Sequence, residues 1–364
     1  MRKQLIFLVV LFVLSDYNSR SQPMNVSIGK NQFQSALLSP QRIIKISENH
    51  YFIDFGKDAF GTLVLTLKTP QTDTLIIHLG EKIANSICID RKPGGTIRYQ
   101  KVQMTNISAG NEYTVKLTPN KRNTNPPAIA LPDSFGVIMP FRYCELENLK
   151  VPINEIVIKQ KVYNYRFNDQ SSAFKCSDTI LNKVWDLCKY TIKATSFCGV
   201  YIDGDRERIP YEADAYINQL SHYCVDDEYS IARRTNEYFI DHPTWPTEWI
   251  LHTVLLFYND YLYTGNLEPI SKYYESLKAK TLIDLEREDG LISSKSAKLT
   301  DHVMKSIGFK DSTQRLRDIV DWPPSQSDAA WMNLPNKEGE RDGYEMVEVN
   351  TVVNSSLPEL EANG

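Results

Sequence analysis

Hydrophobic and polar positions change their period once along the chain. From about residue 45 to 168 they alternate with period two. Tyr51-Phe52-Ile53-Asp54-Phe55 runs into Gly56, and Leu63–Leu67 and Leu75–Leu79 repeat the pattern. Further pieces of this kind cover 97–104, 113–117, 135–146 and 156–167. They are short, rich in β-branched and aromatic residues, and parted by Gly, Pro, Asn and Asp, which predicts strands. Strands at this spacing predict an antiparallel, jelly-roll-like β-sandwich over residues 24–168. Pro119–Pro127 (PNKRNTNPP) reads as an exposed loop.

After Cys176 the period becomes that of helices. Ser177 is the predicted N-cap, and Ile180, Leu181, Val184, Trp185, Cys188 and Ile192 then form one apolar stripe, which places Trp185 in a core. Further helices are predicted at about 212–223, 226–240, 247–264 and 268–287, with Gly265 as a helix-ending residue. Asp289-Gly290 marks a turn, and 296–308 and 343–354 carry fainter helical patterns.

Composition narrows the class. A length of 364 residues suits two domains, and 42% hydrophobic with 24% charged residues is ordinary for a soluble globular protein. A net charge of −4 gives no reason to expect nucleic acid as a partner. The 20 Tyr, 14 Phe and 5 Trp fill cores first, and any surplus suits sugar rings, which stack on aromatic faces. MRKQLIFLVVLFVLS is a basic start followed by an apolar run too short to span a bilayer. Residues 1–23 are therefore expected to be a signal peptide, with a secreted or periplasmic product and no stable membrane insertion after cleavage; the flank DYNSRSQ carries no clear A-x-A site, which leaves an uncleaved anchor as the alternative. Six cysteines (Cys88, Cys144, Cys176, Cys188, Cys198, Cys224) show neither CxxC nor Cys/His pairing, so buried free thiols are expected and no metal site.

The loop after the first helix, Asp203–Asp214 (DGDRERIPYEAD), carries the densest candidate chemistry. Five carboxylates (Asp203, Asp205, Glu207, Glu212, Asp214) interleave with Arg206 and Arg208. A solvated surface charge run is the plain alternative. Against it stand the apolar flanks Val200-Tyr201-Ile202 and Tyr216-Ile217, and the stiffening Pro210 beside Tyr211. Glycoside hydrolysis needs one carboxyl protonated near neutral pH and a second that activates water or attacks the sugar. Carboxylates mixed with arginines can set such different pKa values.

The acid–Arg–Glu–Arg order, with an aromatic four residues after the Glu and an Asp seven after it, resembles the signature loop of the inverting α-L-rhamnosidases of bacteria. YFIDFGKDAFGTLVLTL (51–67), FKCSDTILNKVWDLCKYTIKA (174–194), TWPTEWILHTVLLFYNDYLYTGN (244–266), DIVDWPP (318–324) and NTVVN (350–354) are similar to segments of the same family, in the same order. The resemblance implies a β-sandwich followed by an (α/α)6 six-hairpin barrel, of which residues 169–364 would form the first half. It implies Glu207 as general acid, Asp203 and Asp214 on sugar hydroxyls, Arg206 as the arginine before the acid, and Tyr211 as a stacking aromatic. Trp249 and Trp322 would wall the sugar pocket. The loop is shorter than the commoner family loop, which leaves the register of Asp203, Asp205 and Arg206 open by a position; Glu207, Tyr211 and Asp214 do not depend on it.

His222 is read as a core residue, and His242 and His252 as structural. The family's catalytic base is a glutamate from the second half of the barrel, which the tail SSLPELEANG does not continue. The expectation is thus a truncated chain with a proton donor, no base, an exposed apolar barrel face and little or no hydrolysis. The implied substrate is a rhamnose-containing oligosaccharide or polysaccharide, and no cofactor is implied. Two alternatives stay open: another six-hairpin glycosidase or polysaccharide lyase, and a non-catalytic carbohydrate-binding protein.

Overall fold

The computed structural model of the protein describes residues 32–294, 296–310 and 316, and the backbone of strands Asp318–Val320 and Tyr344–Met346. The expected signal peptide (1–23), Trp322 and the NTVVN segment lie outside the described residues.

The first region is an antiparallel sheet of eight strands. Its strands are β1 (Phe33–Leu38), β2 (Arg42–Ser47), β3 (His50–Leu67), β4 (Leu75–Gly80), β7 (Tyr99–Met104), β8 (Glu112–Thr114), β9 (Met139–Glu147) and β10 (Ile156–Tyr165). A small β5–β6 pair, Ile83–Asn85 with Cys88–Ile89, lies between β4 and β7. Two of the predicted strands are one: β3 runs 18 residues without a break. It pairs with β2 and β9 at its start and with β10 and β8 at its end, and its register with β9 shifts between Asp54 and Ala59. Such a shift bends a strand and lets it serve two parts of a sheet. Gly56 sits at the bend with φ +87°, and a side chain there would strike Gln41. The core within this curved sheet is Ile53, Phe55, Leu63, Leu65, Leu67, Leu75, Ile77, Leu79 and their neighbours, the inward half of the alternating pattern.

The loop predicted as exposed at 119–127 contains a short helix, α1 (Lys121–Thr124). Asn120 caps it through the Arg122 N–H, and Asn123 is buried.

The second region is helical: α2 (Thr179–Ala194), α3 (Glu212–Tyr223), α4 (Ser230–Asp241), α5 (Thr247–Ile250), α6 (His252–Thr264), α7 (Glu268–Lys280) and α8 (Asp301–Ser306). The cap of α2 is Asp178, not Ser177: its carboxylate accepts from the N–H groups of Ile180 and Leu181. The predicted helix from 226 starts only at Ser230, because the buried Asp226 carboxylate takes the N–H groups of Asp227 and Glu228 in a turn. Gly265 ends α6 in the left-handed conformation, as predicted, its N–H reaching the Tyr261 carbonyl. The helix predicted to 287 stops at Lys280, where Leu282 turns left-handed at φ +59°. Residues 344–346, predicted helical, are extended and pair with 318–320.

Buried polar chains tie these helices together. Tyr201 meets His222, whose other ring nitrogen meets Asp226 at 3.1 Å, so His222 is a core residue as expected. Tyr223 donates to Asp260, which also pairs with Arg233. Two placements differ from expectation. Trp185 is only half-buried, packed on Phe174. Of the six thiols only Cys144 and Cys198 are buried, while Cys188 and Cys224 are exposed. Among the described residues no helix is long and apolar enough to cross a membrane.

Candidate functional site

The Asp203–Asp214 loop leaves the seam between the two regions. Phe197, Cys198, Val200 and Ile202 are buried against Phe135, Ile138 and Tyr163, and Phe60 stacks on Phe197 at 3.9 Å. Gly199 makes the approach possible: it is left-handed at φ +69°, and a Cβ would lie 2.8 Å from the Phe33 ring. The chain thus enters the loop from a rigid apolar anchor.

Within the loop, Asp203 and Ile209 exchange bonds that close it at the base: the Asp203 N–H donates to the Ile209 carbonyl, and the Ile209 N–H to Asp203 Oδ1. Arg208 is left-handed at φ +55° and almost wholly buried. Its guanidinium donates to Asp205 Oδ1 at 2.7 and 2.9 Å and to the Ile138 carbonyl, and lies over the Phe197 ring. Asp205 meets Arg98 of the sheet at 3.2 Å, and Asn123 of α1 donates to its backbone carbonyl. Asp205 and Arg208 therefore staple the loop to the sheet. Burial pushes the Asp205 carboxyl up, against the pull of Arg208 and Arg98.

With one side stapled, the other side of the loop faces out. Glu207 Oε1 accepts from Arg122 at 2.8 Å and lies 3.5 Å from Arg206, while Oε2 accepts from the Tyr211 hydroxyl at 2.9 Å. Burial raises the Glu207 carboxyl, but the bonds from Arg122 and Tyr211 and the charges of Arg206 and Arg122 outweigh it, so the group is held below the usual range. The sequence pointed to Glu207 as the carboxyl that must be protonated near neutral pH; in the structure Arg122, first among the lowering partners, shifts it the other way. Asp203 moves the other way. Burial, then the charge of Glu207, push it up to about 6, with Asp214 adding to the rise and Arg206 at 3.6 Å opposing it.

The aromatic side is built by the residue that opens α3, by Trp245 and by Trp249 of α5. Tyr211 precedes α3, and its ring meets Trp249 edge-on at 5.4 Å, with Trp245 beyond at 6.5 Å. Glu212, wholly buried in the first turn of α3, accepts from the Thr244 N–H and hydroxyl and so pins the segment leading to Trp245 and Trp249. Asp214, in the same turn, is near enough to Asp203 to affect its titration.

The structure therefore brings Asp203, Arg206, Glu207, Tyr211, Asp214 and Trp249 together, and Trp322 lies outside the described residues. Sequence reasoning missed Arg122, Asn123 and Arg98, all from the sheet region, and gave Glu212 no role. No group of His, Cys, Asp and Glu among the described residues could hold a metal ion.

Residues 169–320 match the family model of the bacterial alpha-L-rhamnosidase 6 hairpin glycosidase domain. No curated protein matches the chain. Among solved structures, the α-L-rhamnosidase of Dictyoglumus thermophilum is similar at 16% identity with a TM-score of 0.54, over 71% of this chain and 29% of that one. The Streptomyces avermitilis α-L-rhamnosidase complexed with L-rhamnose is similar at 13% identity with a TM-score of 0.53, over 72% of this chain and 26% of that one. The chain thus spans less than a third of either relative, and at such identities the likeness is one of fold. In its family match and in that fold, the chain resembles the bacterial α-L-rhamnosidases.

Proposed function

We propose that this chain, carrying a match to the α-L-rhamnosidase six-hairpin domain, uses the Asp203–Asp214 loop as the acid-bearing half of a site for terminal α-L-rhamnosyl linkages. In this reading residues 24–168 form a jelly-roll-like sandwich, and 169–364 the first half of an (α/α)6 barrel, exported behind the signal peptide 1–23. One observation carries it: Glu207 sits between a wall of Tyr211 and Trp249 and the guanidinium groups of Arg122 and Arg206. Aromatic faces suit the apolar surface of a 6-deoxy sugar, and a carboxyl beside them suits its glycosidic oxygen. Glu207 is the general acid, Asp203, Arg206 and Asp214 hold hydroxyls, and Trp249 with Trp322 walls the sugar.

In the free protein Arg122 keeps Glu207 ionised, so donation requires substrate to loosen that pair. A second reading follows from one observation: Asp203, raised to about 6, is the carboxyl nearer to holding a proton at neutral pH. Following carboxyl carbon signals by NMR as L-rhamnose is added separates the two. Glu207 moving up supports the first assignment; Asp203 alone titrating above the ordinary carboxylate range supports the second.

An inverting reaction needs its base about 6.5–9.5 Å from the acid, on the opposite face of the sugar. The described residues assign no such base, and we expect the 364-residue chain to bind rhamnose and to hydrolyse aryl α-L-rhamnosides little or not at all. Rhamnose release that disappears in Glu207→Gln would overturn the inactivity and establish the acid at once.

A further inference from the structure

Next to Glu207, and joined to it through Arg122 and Arg206, lies a cleft of about 510 Å³ formed by the strand end around Arg98, the α1 loop and Arg206, with neither Tyr211 nor Trp249 in its lining. Its volume falls within the roughly 300–1,000 Å³ typical of small-molecule sites. Five cations line it, Arg98, Lys101, Lys121, Arg122 and Arg206, together with Tyr99, and no carboxylate does. The protein as a whole carries −4, so this concentration of positive charge is local.

Three of the cations are already engaged below the cleft: Arg98 with Asp205, Arg122 with Glu207, Arg206 with Asp203 and Glu207. Lys101 and Lys121 are exposed, and Lys101 lies near enough to Glu147 to help lower its carboxyl. Arg122 and Arg206 thus face two ways, toward the cleft and toward Glu207. The two flanks of Glu207 differ in chemistry, apolar and aromatic on one, basic on the other. A concave site lined by one sign of charge concentrates ligands of the opposite sign. Guanidinium forks match planar carboxylates.

We propose that this cleft binds a uronate sugar, on the leaving-group side of Glu207, so that the glycan served by the site is acidic. The leaving-group side rests on the rhamnosyl reading, and the uronate on the cleft alone. A uronate joined to the sugar held at Tyr211 would place its carboxylate among Lys101, Lys121 and Arg122 while its bridging oxygen stays beside Glu207. A nucleotide or free phosphate would also meet positive charge here, but neither makes use of the adjoining aromatic wall and carboxyl.

The test is calorimetric titration of the full 364-residue chain at low salt with digalacturonate, its neutral counterpart galactobiose, and inorganic sulfate. Digalacturonate is expected to bind at least about tenfold tighter than galactobiose, an advantage of about 1.4 kcal/mol. The advantage should shrink as salt is added. It should vanish in the Lys101→Ala, Lys121→Ala double variant, whose exposed positions leave the melting temperature unchanged. Equal binding of the two sugars, insensitivity to the double variant, or sulfate binding as tightly as digalacturonate would each overturn the uronate site. Digalacturonate binding that is unchanged in rhamnose-saturated protein supports neighbouring subsites, and mutual exclusion refutes them. If rhamnose fails to bind while digalacturonate binds through Lys101 and Lys121, the rhamnosyl reading falls and the cleft stands; the reverse result removes the cleft alone.

Discussion

At the scale of residues, the site turns on what surrounds one carboxyl. Glu207 has the neighbours of a proton donor, yet the Arg122 bond and the nearby Arg206 hold it ionised. Arg122→Ala removes the first of the lowering interactions, so the Glu207 carboxyl should titrate at higher pH. Carbon NMR of the carboxyl signals reads this directly, and an unchanged midpoint would refute the role given to Arg122. The loop's carboxylates, its aromatic and its flanking apolar residues were legible in the sequence because they lie together in one stretch. Arg122 was not. It sits in PNKRNTNPP, whose polar, proline-rich character is that of a solvated loop, and nothing local shows that Asn123 finds a buried carbonyl on Asp205. Its meeting with Glu207, 85 residues on, exists only after the sheet has closed. Glu212 was hidden for the opposite reason. It reads as one more member of an acidic run, whereas Thr244, distant in sequence, supplies the donors that make its burial tolerable.

At the scale of elements, the loop is held by a buried ion pair together with the hydrogen bonds that close its base. Arg208→Ala should leave Asp205 buried with a weakened partner set and cost about 3–5 kcal/mol, the usual result of breaking one side of a buried pair. Asp205→Asn with Arg208→Met should cost less than Arg208→Ala alone. Chemical denaturation measures both, and a loss below about 1 kcal/mol for Arg208→Ala would place the pair among weak surface bridges. The helices show how far periodicity reaches. The stripe of α2 was visible as Ile180, Leu181, Val184 and their successors, and its helix is where the pattern put it. Periodicity says which face is apolar and nothing about what covers it. Ile180, Leu181, Val184 and Leu187 are 48–69% exposed. Contiguous apolar surface of this kind binds hydrophobic dyes and promotes association. Leu181→Lys with Leu187→Lys should lower dye binding while leaving the melting temperature in place. A large fall in stability would show that the face is packed in solution. The boundaries that moved did so for local reasons of the same kind, the Asp226 turn before α4 and the left-handed Leu282 after α7.

At the scale of the whole molecule, the two regions meet across more titratable groups than the sequence suggested. Asp58 of β3 and Glu81, just past the end of β4, lie close enough to shift each other's titration, and both feel the charge of Asp205. Burial, then the charge of Asp58, push Glu81 up to about 8, and burial pushes Asp58 up to about 6. A carboxyl raised on folding stabilises the fold below its unfolded pKa, and that contribution is lost as pH rises through the folded value. For Glu81 the window runs from its ordinary 4.5 to about 8. Melting temperature should therefore fall as pH rises across that window, and Glu81→Gln should flatten the fall. An unchanged slope in the variant would mean the pair is solvated. The period change from two to 3.6 made the order of sheet and helices readable. It could not show that β3 is one bent strand, because Gly56 and Gly61 interrupt the apolar alternation that a continuous strand would display. Calorimetric titration of the full chain with L-rhamnose tests whether the Asp203–Asp214 loop with its aromatic wall is a rhamnose site. The wild type should bind at about the millimolar level expected of a monosaccharide in a half-open site, roughly −4 kcal/mol, and Tyr211→Ala and Trp249→Ala should each weaken it about tenfold. No binding, or binding indifferent to both substitutions, would contradict the account.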